Sequence, residues 1–386
     1  MKQKVAILGS TGSIGKSLLN IIKKDKKNFE IILLTANNNY KTLIKQSKEF
    51  NVKNIILTDK KKFTILKKLL KKKKIKVFNN FDDFNKIFKK KIDYTMSSIV
   101  GLEGLNPIIK IIPFTKNIAI ANKEPIVCAW DLIKKKLKKH KTKFLPVDSE
   151  HFSIWFGTQN IKSEIEKIFI TASGGPFLNY PKNKFSNIKL KQALDHPNWN
   201  MGKKITIDSA TMMNKIFEII EAKNIFNLEY KNLSILIHPK SYVHALIKFK
   251  NGLIKIIAHE TKMEIPIANT LYQKKPKIFF NKAINLGYLN NLSFRGVDLK
   301  IFPVVKILRL LPSKQSLFET IIVSANDELV NLFLQRKIKF IDISKKLLKL
   351  LNSNEILKYK KIKYKNVKDI IKLAEDVRFK IRSKSI

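Results

Sequence analysis

With a single cysteine, Cys128, among 386 residues, no intrachain disulfide can form, and a reducing compartment fits. Cys128 lies in the apolar run 126–130 and reads as a buried, inert thiol. Arginine is nearly as scarce: Arg295, Arg309, Arg336, Arg378 and Arg382 are the full set. Base readout and phosphate forks favour the planar guanidinium, so a net charge of +47 carried by lysine does not predict specific nucleic-acid binding. The lysines fall in solvent-type runs such as 71–74 and 134–136, within the Ile-, Lys-, Asn- and Phe-rich usage of an AT-biased coding sequence. Such charge predicts salt-sensitive adhesion to polyanions and steering of an anionic ligand. No apolar run reaches the ~20 residues of a membrane span. A strand pattern begins by Val5, so no leader is expected. A cytoplasmic bacterial protein without a membrane partner is expected.

What is present is an ordered alternation. Apolar runs at 4–9, 29–34, 54–58, 94–99, 117–121 and 143–147 read as strands, with helical stretches such as 16–23, 40–50 and 64–71 between them. This predicts an α/β fold opening on a doubly wound parallel sheet. After 149 the pattern changes. A helix over 152–157, a strand over 167–171, a long polar stretch over 172–202 and a helix over 210–222 precede strands at 234–237, 243–249 and 253–258. These predict an α+β domain, followed from 303 by a helical bundle with helices at 317–323, 327–335, 341–351 and 367–382. The expected domains are 1–147, 148–290 with a lid loop over 173–203, and 300–386.

Gly9, Gly12 and Gly15 stand between the first strand and its helix, the setting of a Rossmann-type dinucleotide loop. After the second strand, where an acid would bind the ribose 2′-hydroxyl of NADH, stand Asn37, Asn38 and Asn39. An amide turn beside Lys41 tolerates a 2′-phosphate, so NADPH is favoured. The strand at 143–147 delivers Asp148 and Glu150 at its carboxyl end. With Glu218 they make an oxygen-ligand site for magnesium or manganese, provided the backbone turns at Ser149. Asn214, Lys215 and Glu218 share a helical face, and Ser209 lies just upstream, a phosphate cradle. Ser173 precedes Gly174 and Gly175, and Trp199 lies in the polar stretch as a candidate cover. His244 is a further candidate for touching this site, ahead of His238.

In order along the chain, GSTGSIG (9–15), IVGLEGLNP (99–107), ANKE (121–124), PVDSEH (146–151), TASGGPF (171–177), HPNWNMGKK (196–204), IDSATMMNK (207–215) and HPKSYVH (238–244) resemble the 1-deoxy-D-xylulose 5-phosphate reductoisomerase family, with ANDE (325–328) as a weaker marker. The resemblance implies a homodimeric enzyme that rearranges and reduces a phosphosugar with NADPH and Mg2+ or Mn2+. Asp148, Glu150 and Glu218 would hold the metal. Lys123, Ser149 and Asn198 would contact substrate oxygens. Ser173, Ser209, Asn214 and Lys215 would take the phosphate, with His196 and Trp199 closing over it and His244 near the reacting atoms. Thr11, Gly12, Ser13, Ile14, Asn37, Asn38 and Asn39, with Asn122, Glu124 and Gly202, would hold NADPH.

Three departures stand out. His259-Glu260-Thr261-Lys262-Met263-Glu264 replaces a Gly-Glu-Pro-Asp-Met-Arg-like lid segment, reversing the charge at Glu264. Phe152-Ser153-Ile154 replaces Asn-Ala-Ile, and the 37–39 turn lacks a glycine, which predicts a strained or shifted contact with the NADPH ribose.

Overall fold

A computed structural model describes residues 1–71, 73–273, 286–290 and 292–383. They fall into two compact units. The first comprises Met1–Pro125, Asp131–Asp148 and the described residues of Met263–Asn281; the second comprises Ile126–Trp130, Ser149–Lys262 and the described residues of Lys282–Ile386.

The first unit is built on β1 (Gln3–Leu8), β2 (Phe29–Ala36), β3 (Asn54–Leu57), β4 (Lys76–Phe78), β5 (Ile92–Ser97), β6 (Thr115–Ile120) and β7 (Lys143–Pro146). They pair in the order β4-β3-β2-β1-β5-β6-β7, parallel throughout. Val5, Ile7, Leu33, Leu34, Ile55 and Ile56 are fully buried, as continuous apolar strands covered on both faces must be. The order reverses between β1 and β5, the switch point where ligands of such sheets collect at strand carboxyl ends. Of these strands only β4 has no counterpart in the sequence reading: three residues at a lysine-rich edge carry too little periodicity. The helix Lys123–Lys139 breaks at Ala129 (φ −142°). In the second unit, Asn224 and Gln315 donate side-chain amides to the Ile126 carbonyl at 3.1 and 3.3 Å, and Gln315 reaches that of Val127 at 2.7 Å. These bonds satisfy backbone acceptors next to the break.

The second unit carries β8 (Ile165–Ala172), β9 (Leu233–Ile237), β10 (Val243–Phe249) and β11 (Ile254–Ala258), in the order β11-β10-β8-β9. Only β8 and β9 run parallel. The helix Ser149–Gly157 packs on β10 and β11. The C-terminal helices Leu317–Leu334, Phe340–Leu351 and Val367–Ser383 belong to this unit. No helix among the described residues is long and apolar enough to cross a membrane.

Three expectations need correction. The helix expected over 210–222 is two, Lys203–Thr211 and Met213–Phe226, broken at Met212, whose φ of 69° no continuous helix allows. The helices expected at 317–323 and 327–335 are one, because Ser324, Ala325 and Asn326 are buried against neighbours rather than left as a polar break. The polar stretch over 172–202 is not structureless. It contains the turns Gly175–Phe177 and Lys182–Asn187 and the short helix Leu190–Ala193, anchored by buried Phe177, Ile188 and Ala193.

Candidate active site

The helix Ser149–Gly157 starts three residues earlier than its apolar pattern suggests, and its first turn supplies the bend at Ser149. One carboxylate oxygen each from Asp148, Glu150 and Glu218 lie within 4.8 Å of one another. Glu218 is delivered by Met213–Phe226, and its carbonyl accepts a 2.9 Å hydrogen bond from His151 Nε2. Lys215 Nζ lies 2.5 Å from Glu150 Oε1 and also pairs with Glu218. Asn214 Nδ2 donates to Glu218 Oε1 and Ser149 Oγ to Glu150 Oε2, each at 2.5 Å. Burial alone would lower the Lys215 pKa, but Glu150 and Glu218 outweigh it and hold the ammonium above the ordinary lysine value. Lys123 pairs with Asp148. An all-oxygen donor set of three carboxylates fits a hard divalent cation and suits a soft one poorly.

A hydroxyl corner is built around His196. Gly174 and Gly175 follow Ser173 with φ of 84° and 62°, and a Cβ on Gly175 would stand 3.2 Å from the Ser209 carbonyl. That close approach brings Ser173 and Ser209 onto one ring: His196 Nε2 is 3.2 Å from Ser173 Oγ and 3.1 Å from Ser209 Oγ. The backbone N–H groups of Asn198 and Trp199 both point at His196 Nδ1, at 3.1 Å. An amide N–H only donates, so Nδ1 is the acceptor and the proton sits on Nε2. Burial first, then the Lys215 charge, pushes His196 down to about 4, so it is neutral at pH 7. The serine oxygens accept from Nε2–H, which leaves their own protons for an anion.

Within the 196–202 segment, Asn198 Nδ2 donates to the Pro239 carbonyl at 2.6 Å and to Ser241 Oγ at 2.9 Å. Trp199 meets His244 edge-on, with ring centroids 6.2 Å apart. His244 stacks on His259 at 3.8 Å and donates from Nε2 to the His259 carbonyl at 3.1 Å. Burial, reinforced by His259, pushes His244 down to about 3. Phe152 meets His259 edge-on at 6.2 Å, so two departures from the family pattern pack against each other. His238 lies elsewhere, donating to the Ser293 carbonyl at 3.0 Å and stacked on Phe294. Glu264 opens the helix Glu264–Leu271 in the first unit and accepts from Ser17 Oγ at 2.9 Å.

In the first unit the glycine loop is tight. Gly9 has φ +87° and a Cβ there would lie 2.8 Å from the Ser98 carbonyl; on Gly15 it would meet the Gly9 carbonyl at 2.6 Å. Thr11, Gly12, Ser13 and Ile14 lead into the helix Ser13–Lys23, with Gly12 and Ser13 exposed. Asn37, Asn38 and Asn39 are exposed as well. Asn39 caps Tyr40–Glu49 by accepting from Thr42 N–H at 3.2 Å, and Asn37 accepts from Thr58 Oγ1 at 3.2 Å. None of the three has a positive φ, so the turn itself needs no glycine. Asn122 donates to the Gly101 carbonyl at 3.2 Å, and Glu124 is buried in the next helix's first turn. Gly202 lies in the second unit, before Lys203–Thr211. The sequence reading assigned Lys204, Asp208 and Asn326 no role of their own, although each lies in a quoted motif; they form a polar group beside Ser209 around the buried Asp208 and Asn326, and the i,i+4 spacing of Lys204 and Asp208 was the available signal.

Family models described as 1-deoxy-D-xylulose 5-phosphate reductoisomerase match residues 5–130, and as its C-terminal domains 144–226 and 260–380. The reductoisomerase of Pelagibacter ubique (strain HTCC1062) is 61% identical over all of both chains. That of Wolbachia sp. subsp. Drosophila simulans (strain wRi) is 40% identical over 88% of each. A DOX-P reductoisomerase solved with NADPH, fosmidomycin and magnesium superposes with a TM-score of 0.90 at 31% identity, covering 99% of this chain and 98% of that one. The Zymomonas mobilis enzyme solved with NADPH gives 0.88 at 29%, covering 100% and 99%.

Proposed function

Because this chain belongs to the 1-deoxy-D-xylulose 5-phosphate reductoisomerase family, we propose a residue-by-residue account of how it performs that family's reaction. The enzyme converts 1-deoxy-D-xylulose 5-phosphate to 2-C-methyl-D-erythritol 4-phosphate, for isoprenoid precursor synthesis, using NADPH and a divalent cation such as Mg2+. When bound, the cation supplies Lewis acidity to the substrate oxygens and NADPH supplies hydride.

Asp148, Glu150 and Glu218 hold the cation, a role supported by three converging carboxylates of which Glu218 is 1% exposed. Lys215 balances their charge and, with Ser173, Ser209 and Asn214, binds the phosphate. Lys123, Ser149 and Asn198 orient the substrate's carbonyl and hydroxyl oxygens. His196 ties the 196–202 backbone to both serines, so phosphate binding and the placement of Trp199 are linked. Neutral His244 carries the proton on Nε2 and leaves Nδ1 to accept a hydrogen bond. Thr11, Gly12, Ser13, Ile14, Asn37, Asn38, Asn39, Asn122, Glu124 and Gly202 hold NADPH, with the helix N-terminus at Ser13 favouring the pyrophosphate. The segments 1–147, 148–290 and 300–386 serve as cofactor, catalytic and supporting regions.

The convergence of the three carboxylates carries this reading. NADPH oxidation with 1-deoxy-D-xylulose 5-phosphate, titrated with Mg2+, compares wild type with Glu218→Gln. A fall of at least ~10³-fold in kcat/KM is expected, and near-equal rates would refute the metal assignment. We also propose a homodimer in the bacterial cytoplasm. The edge strand β11 exposes Ile254 and Ile256 beside Leu253, an apolar edge suited to pairing with a second copy. Light scattering of Ile256→Lys should show monomers where wild type shows dimers; a monomeric wild type would end this component of the reading.

A further inference from the structure

Asp208 is an acid in an adverse place. It lies in the last turn of Lys203–Thr211, where the helix dipole disfavours a negative charge, and it is 2% exposed. A buried carboxylate is tolerated only with partners. Asp208 has two: Asn326 Nδ2 donates to Oδ1 at 2.7 Å, and Lys204 Nζ lies 3.0 Å from Oδ2. Asn326 is fully buried in Leu317–Leu334. Lys204 also pairs with Asp327 at 2.9 Å, and Asp327 with Arg378 of Val367–Ser383 at 3.3 Å. The same lysine lies 5.6 Å over the ring of Phe217, the neighbour of Glu218. One connected set of charges and amides therefore runs from the C-terminal helices to the two helices that carry Ser209 and Glu218.

We infer that the Asp208–Asn326 pair, backed by Lys204 and Asp327, is a positioning device that sets Ser209 against His196 and so tunes affinity for the substrate's phosphate. Asp208 is joined to Ser209 by one peptide bond, and the Ser209 hydroxyl stands 3.1 Å from His196 Nε2. The carboxylate–amide bond is directional, so it specifies the rotation and height of this last helical turn in a way that apolar packing does not. The helix cannot hold itself there, because Met212 ends it in a left-handed conformation. The C-terminal helices thereby act on substrate recognition without touching substrate. This inference rests on the proposal that Ser209 binds phosphate.

The test uses four variants of the full chain: Asn326→Leu, Asn326→Asp, the exchange Asp208→Asn with Asn326→Asp, and Ser209→Ala. Each is assayed for kcat, for the Michaelis constants of the phosphosugar substrate and of NADPH, for inhibition by inorganic phosphate, and for thermal melting. Asn326→Leu should stay folded and raise the substrate KM and the phosphate inhibition constant by roughly tenfold, with the NADPH KM within about twofold of wild type. Asn326→Asp sets two carboxylates face to face and should weaken phosphate further. The exchange restores one acid and one amide and should recover substrate KM to within about threefold. A folded Asn326→Leu with unchanged phosphate affinity overturns the inference, as does an exchange no better than Asn326→Asp alone. If the single variants unfold and the exchange does not recover, the pair is only a structural cross-link and the inference also fails. Ser209→Ala separates the two readings. If it leaves phosphate affinity unchanged, the phosphate assignment is wrong; if it weakens phosphate while Asn326→Leu does not, positioning alone is wrong.

Discussion

The two units build their candidate sites from different materials. In the first, the glycine loop is contiguous backbone: Gly9 and Gly15 are required by carbonyls within 2.8 Å of where a Cβ would stand. In the second, Glu150, Lys215, Glu218 and the hydroxyl corner are side chains carried by Ser149–Gly157, Lys203–Thr211, Met213–Phe226 and the segment after β8. A backbone site tolerates drift in its side chains, and the glycine-free turn at 37–39 forms without a positive φ. A side-chain site tolerates little, because both oxygens of Glu150 and both of Glu218 are matched to donors. The two departures that fall near it, Phe152 and His259, come as a packed pair.

The contrast can be broken most decisively at Glu218→Gln, whose expected loss of at least ~10³-fold in kcat/KM should come without a matching loss of NADPH affinity. Equal losses of both would mean that the two sites are not separable. Gly15→Ala should come next. With its Cβ 2.6 Å from the Gly9 carbonyl, overpacking should cost ~1–3 kcal/mol, read as a lower midpoint in urea; an unchanged midpoint would show that the loop is softer than its geometry.

Acid sharpens the comparison from the other side. The His244 pKa falls to about 3 in the fold, so below roughly pH 6.5 the unfolded chain binds protons that the native one does not. Its stability contribution is complete above pH 6.5 and is lost as pH falls towards 3. Between pH 7 and 5 the second unit should lose ~2 kcal/mol from this residue. His196, pushed to about 4, adds a loss of the same sign that solvent partly screens. Denaturant titrations of wild type and His244→Gln at both pH values check this, and identical pH slopes would contradict neutral burial of the ring. The smallest effect belongs to Gly12→Ala. Its Cβ would meet only the Gly9 carbonyl, at 3.5 Å, so stability should hold within ~0.5 kcal/mol while the NADPH KM rises. An unchanged KM would remove Gly12 from the cofactor site.

Local signals in the chain made the parallel sheet legible almost strand by strand, because buried parallel strands are continuous apolar runs. Only β4, three residues long, left no such trace. Helix boundaries were legible where caps or periodicity marked them and illegible where burial overrode composition. Ser324 and Asn326 are polar letters inside one continuous helix, and Met212 is an apolar letter at a break. In the site, the carboxylates and phosphate-type residues could be named from residue type and order. The pairing of Asp208 with Asn326 could not, since the two stand 118 positions apart.

Residue order alone determined the fold class, the glycine loop and the inventory of acids, amides and hydroxyls, because each depends on neighbours within a few positions. Tertiary structure decided which groups meet. It placed one helix start under Glu150, turned His196 so that a single ring joins two serines to the Asn198 and Trp199 amides, and moved Glu264 onto Ser17 in the first unit. Those outcomes depend on the burial and hydrogen-bond demands of distant segments, which no local spacing encodes.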